Sequence, residues 1–148
     1  MTEVRDEIRV RIASDADTVV ARQAGRDEAL RLGFSRTDAT FIATAISEIA
    51  RNITVHAGEG EITLGELSEA GRQGLIVTAR DDGPGILDVP AVLRDDYSSD
   101  FGLGMGLWGA MRLMDEIDVS SEPGKGTTVT MKKWRGFDEV GSLLRMTP

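Results

Sequence analysis

Four isoleucines, Ile42, Ile46, Ile49 and Ile53, recur at spacings of four, three and four. Only an α-helix brings such positions onto one face, so the stretch from Ser35 to about Ala57 is predicted to be a helix with a core-facing stripe. Ser35-Arg-Thr-Asp38 has capping-box spacing at its start, and Ala57-Gly58 marks its end. Any fold of this chain has to cover that stripe.

The remaining segments supply the cover. Glu7 to Ile12 sets Ile8, Val10 and Ile12 against Glu7, Arg9 and Arg11, the pattern of a half-buried strand. A helix follows from Ser14 or Asp15 to about Leu32, with Val19, Val20, Ala24 and Leu30 as inward candidates and Gly33 as its cap. Glu61 to Leu67 alternates less regularly, and Gln73 to Ala79, with Leu75, Ile76 and Val77, is a more buried strand. Ser68 to Gly74 is expected to connect the two as a hairpin. From Asp81 to Gly106 the chain is rich in Gly, Pro, Asp and Ser; a loop of that length in a compact domain is usually functional. A third helix is predicted from about Gly104 to Asp115, through Leu107, Met111 and Met114. Strands over Ile117–Ser121 and Thr127–Trp134 flank the turn residues Glu122-Pro-Gly-Lys-Gly126. This order predicts an α+β fold: a two-layer α/β sandwich in which three helices cover one face of a mixed β-sheet.

Composition removes several functions. The 148 residues suit one domain. The net charge of −8 disfavours nonspecific nucleic-acid binding, which needs clustered cations. There is no cysteine and only one histidine, His56, so thiol chemistry and multi-histidine metal sites are excluded. No apolar run has the length to span a bilayer, and the charged N-terminus does not resemble a signal peptide. The simplest expected placement is the cytoplasm.

Four short motifs remain. Glu48, Asn52 and His56 lie at i, i+4 and i+8, on one face of the second helix and away from the isoleucines. Taken alone, that face is the common solvated helix surface or, on a second reading, a hard-cation site. In the second case Asn52 offers a neutral oxygen suited to Mg²⁺, and Glu48 a carboxylate able to orient or deprotonate a hydroxyl. Asp81-Asp-Gly83-Pro-Gly85 follows a buried strand. It is either a tight turn or a floor for a flat ligand. A carboxylate there accepts from the six-amine of adenine and repels the oxygen of guanine. Gly102-Leu-Gly104-Met105-Gly106-Leu107 leads into a helix, where free backbone N–H groups suit a triphosphate. A dinucleotide-binding reading of these glycines fails, because they follow a polar loop rather than a strand. Gly124-Lys-Gly126-Thr127-Thr128 is a hairpin turn whose Thr127 hydroxyl could stand beside the same base. There is no Walker-type phosphate loop and no protein-kinase signature set.

Each motif is weak alone; their order is informative. Over roughly Ile8 to Trp134, that order resembles the GHKL superfamily of gyrase, Hsp90, histidine kinases and MutL. The resemblance places Glu48 and Asn52 in the N box, Asp81, Gly83 and Gly85 in the G1 box, and Gly102, Gly104 and Gly106 in the G2 box. Residues from about Ile86 to Leu103 take the place of the ATP lid. Within the superfamily the chain is similar to the compact anti-sigma-factor kinases. Ile46-Ser-Glu-Ile-Ala-Arg-Asn-Ile53, Asp82-Gly-Pro-Gly-Ile86 and Arg112-Leu-Met-Asp-Glu116 resemble the RsbT-type switch kinases in particular.

The resemblance implies residues 1–135 as an ATP-binding kinase domain and 136–148 as a tail or short accessory element. It implies ATP and Mg²⁺ as cofactors. Glu48 would be catalytic, Asn52 the metal ligand, and Asp81, Gly83, Gly85, Gly102, Gly104, Met105, Gly106, Leu107 and Thr127 nucleotide contacts. The implied reaction phosphorylates serine or threonine on STAS-domain partners of RsbS and RsbR type. The implied second role is activation of an RsbU-type phosphatase, and a homodimer is left open. Three rival readings stand beside it: an RsbW-type anti-sigma factor, a non-catalytic ATP-binding module, and a stand-alone histidine kinase catalytic domain acting on a histidine in trans. One departure from the family concerns the lid segment, which holds Asp88, Asp95, Asp96 and Asp100 with Arg94 its one basic residue. Weak ATP affinity is expected unless a partner or cation compensates.

Overall fold

The fold is seen in a computed structural model that describes residues 2–85 and 106–135. Strand β1 (Thr2–Ile12) leads through helices α1 (Asp15–Arg31) and α2 (Arg36–His56) to the hairpin β2 (Gly60–Glu69) and β3 (Arg72–Asp81). Helix α3 (Gly106–Leu113) then precedes a second hairpin, β4 (Glu116–Ser121) and β5 (Thr127–Trp134). The five strands form one sheet in the order β1-β2-β3-β5-β4.

The sheet departs from expectation in one respect: every pairing is antiparallel, not mixed. β5 inserts between β3 and β4, so the two strands joined by the long crossover are never neighbours. The β2–β3 connection is also tighter than predicted. Both strands run to the tip, where only Ala70 (φ 53°) and Gly71 (φ 80°) turn the chain. Two consecutive left-handed residues match the twist of an antiparallel hairpin.

Helix α2 behaves as its stripe requires. Ile42, Ile46, Ile49 and Ile53 are all buried against Ile62, Leu64, Leu75, Val77, Val129 and Met131 of the sheet. Its start is capped, the Ser35 hydroxyl accepting the Asp38 N–H at 3.0 Å. Helix α1 corrects the expectation. Val19, Val20 and Leu30 are exposed at 50%, 55% and 41%, and the buried face is Ala21, Gly25, Glu28 and Ala29. Small residues win here because α2 approaches closely: a Cβ on Gly25 would run into Ile46 Cδ1. Glu28 is tolerated inside because Arg31 binds its carboxylate from the next turn.

Candidate functional site

Antiparallel register assembles the centre of the site. Gly60 pairs with Asp81, Asp81 with Thr127, and Thr127 with Ser121, so four residues form one row across β2, β3, β5 and β4. Asp81 and Thr127, far apart in sequence, are direct cross-strand partners. Thr127 is buried. The Asp81 carboxylate accepts the Gly83 N–H through Oδ1 at 2.9 Å, a bond that fixes its rotamer.

Glycines make the row possible. Gly126 has φ +88°, and a Cβ there would strike the Asp81 carbonyl oxygen. Gly85, at φ +82°, sits equally close to the Glu122 carbonyl. The Gly124 N–H donates to the Pro84 carbonyl at 2.7 Å. The turn after β3 and the turn before β5 are thus stapled together, which neither motif alone announces. Gly83 admits the end of α2, since its added Cβ would lie 2.6 Å from Ala57 Cβ. On the other side a Cβ on Gly60 would lie 2.9 Å from Ile53 Cγ2 and 3.1 Å from Asp81 Cβ. The last turns of α2 therefore end against the Asp81 edge of the sheet.

The polar residues of α2 follow one another along the helix that ends there. Glu48 and Asn52 are half-buried, and His56 is exposed. Leu107 is buried in the core beneath the first turn of α3. Gly106 is the first residue of that helix. Gly102, Gly104, Met105 and the lid residues lie outside the described residues, as does the 136–148 tail. Among the described residues no group of three or more His, Cys, Asp and Glu is arranged to hold a metal ion. A divalent cation beside Asn52 would take its other ligands from phosphate oxygens and water, the usual manner of holding Mg²⁺. The donor set fits that cation.

Ser121 was missed by sequence reasoning. Its Oγ lies 2.9 Å from Thr127 Oγ1 and donates to the Gly126 carbonyl at 3.0 Å. The available signal was the predicted β4–β5 hairpin, whose register places Ser121 opposite Thr127.

Comparisons with known proteins identify relatives of the chain. The family profile of histidine kinase-, DNA gyrase B-, and HSP90-like ATPases matches residues 37–135. Serine/threonine-protein kinase RsbT of Bacillus subtilis is 46% identical over 131 residues, 88% of this chain and 98% of that one. An anti-sigma F factor of Thermoanaerobacter is 32% identical over 103 residues, 66% of this chain and 71% of that one. Among solved structures, the RsbU and RsbW domains of a Mycobacterium tuberculosis protein superpose with TM-score 0.61 at 21% identity. That match covers 89% of this chain but only 34% of the larger one, and it speaks for the fold.

Proposed function

The chain belongs to the family of histidine kinase-, DNA gyrase B-, and HSP90-like ATPases, and from that premise we propose a serine/threonine protein kinase that transfers phosphate from ATP to a protein partner. The observation that carries the reading is the row Asp81–Thr127, walled by the end of α2. An acceptor carboxylate beside a buried hydroxyl suits the donor-bearing edge of adenine. The identity to RsbT over nearly its whole length favours the kinase over the anti-sigma reading, which rests on shorter and weaker matches.

In this reading Asp81 and Thr127 hold the base. Asn52 presents its side-chain oxygen to the cation, and Gly106, at the start of α3, offers its backbone N–H to phosphate. Mg²⁺, when bound, would neutralise phosphate charge during transfer. Glu48, one turn from Asn52, orients the partner hydroxyl and takes up its proton. We assign residues 1–135 to the kinase domain. The partners we propose are STAS-domain proteins of RsbS and RsbR type, with an RsbU-type phosphatase as the second target in partner switching. Among the described residues no helix is long and apolar enough to cross a membrane.

The test is transfer of labelled phosphate from Mg-ATP to a STAS-domain protein, by wild type, Glu48→Ala and Asp81→Asn. Transfer to serine or threonine that fails in both variants is expected. Partner binding without transfer by wild type would replace the kinase with a binding module, and capture of a sigma factor instead would favour the anti-sigma reading.

A further inference from the structure

Phe41, Glu48 and Val55 follow one another at intervals of seven along α2. A seven-residue step turns back by only about 20°, so the three share one line of the helix. Each step rises about 10.5 Å, which sets the two apolar side chains about 21 Å apart with the carboxylate midway. Phe41 and Val55 are 39% and 46% exposed, and Glu48 is half-buried between them. Scattered apolar residues are ordinary on a protein surface. These two are different in being placed evenly about the carboxylate assigned to the chemistry. The core does not use them, since Ile42, Ile46, Ile49 and Ile53 fill it from another face of the helix.

Phe41 is also held in place. The Lys133 ammonium lies 5.8 Å from its ring centroid, close enough for attraction to the ring face. That ammonium is fixed in turn, donating to the Leu113 carbonyl at 3.1 Å and pairing with Asp115 at 3.5 Å. A ring ordered beforehand loses little freedom on association, as suits a docking contact. We propose that Phe41 and Val55 dock the protein substrate, gripping apolar side chains on either side of the serine or threonine that Glu48 meets. The occupant is thus a protein whose acceptor hydroxyl lies inside an apolar patch. A protein that delivers a hydroxyl to Glu48 has to lie along this line of α2. A standard interface covers about 800 Å² of each partner, a patch about 30 Å across, so a footprint centred on Glu48 takes in both residues. These roles rest on the kinase reading above, to which they add the chemistry of the partner's surface.

The experiment is steady-state transfer of labelled phosphate from Mg-ATP to an RsbS-type STAS-domain protein. The full chain is used as wild type, Phe41→Ala, Phe41→Leu, Val55→Ser and the double variant Phe41→Ala with Val55→Ser, and ADP affinity is measured on each by calorimetry. Loss of one docking contact predicts a KM for the partner raised about five- to thirtyfold. A contact that serves binding alone leaves kcat unchanged, and ADP affinity should not move. Phe41→Leu, still apolar, should keep most of the wild-type KM. Contacts so far apart act independently, so the two KM factors should multiply in the double variant. Val4→Ser, at a site of similar exposure (38%) but on β1, should leave KM as it was. If Phe41→Ala does not fold, Val55→Ser, at an exposed site in the last turn of α2, carries the comparison alone. Unchanged KM would overturn the docking role, as would a fall in kcat at constant KM or an equal rise in Val4→Ser. Loss of self-association in place of a raised KM would also overturn it, assigning the two residues to contact with a second copy of this chain. Wild type that transfers no phosphate would instead overturn the kinase reading, and the docking role with it.

Discussion

Asp81 on β3 and Thr127 on β5 are direct register partners, and the turns that follow the one and precede the other are bonded together by Gly124 N–H and the Pro84 carbonyl. The proposed base site is thus a property of sheet pairing more than of either motif.

Asp81→Asn should fold, since Asn retains an oxygen for the Gly83 N–H. It replaces a charged acceptor with a neutral amide. A hydrogen bond to a charged group contributes about 1.5–3 kcal/mol, so ADP affinity should drop roughly ten- to a hundredfold. Calorimetry at fixed ionic strength checks this, and unchanged affinity would remove Asp81 from the base site.

Glu48→Gln and Asn52→Ala should separate chemistry from cation binding. The first is expected to slow phosphoryl transfer by about 10²- to 10⁴-fold while nucleotide still binds. The second should abolish the Mg²⁺-dependent part of ATP affinity, leaving a titration indifferent to EDTA. Wild-type transfer by Asn52→Ala would refute its assignment as the metal ligand.

Gly126→Ala tests the backbone. A left-handed conformation costs a non-glycine residue about 1–3 kcal/mol, and the new methyl would also meet the Asp81 carbonyl. Thermal melting should show a clearly lowered Tm together with weakened nucleotide binding. A Tm equal to wild type would mean that these two strands approach each other less closely.

Gly25→Val probes the α1–α2 interface. Overpacking against Ile46 is expected to destabilise by about 1–3 kcal/mol in urea unfolding. Adding Ile46→Ala should recover part of the loss, because the two positions share one space. Additive losses would disprove that contact.

Glu69 titrates in a direction that the fold dictates. The Thr2 hydroxyl, 2.9 Å away, holds its carboxyl below the usual glutamate range; burial opposes this, and Lys132 reinforces it. A lowered folded-state value means that its contribution to stability is present above the ordinary carboxylate range and fades as pH falls through the folded value. NMR titration should show the Glu69 carboxyl moving upward in Thr2→Val; an unmoved carboxyl would exclude the Thr2 bond.

Much of this was determined by local sequence. The isoleucine period required α2, Ser35 set its start, alternation located the strands, and the order of short motifs pointed to an ATP-binding family. Those signals are local because they depend on helix and strand periodicity and on turn chemistry, which neighbouring residues settle among themselves. Three matters were decided only by tertiary structure. Val19, Val20 and Leu30 are apolar at helical positions, yet the face of α1 that turns inward is the one small enough for α2 to approach, and Gly25 marks it. The sheet is antiparallel throughout because β5 enters between β3 and β4. Asp81, Thr127 and Ser121 meet because strand register, a long-range pairing that no single segment encodes, sets them in one row.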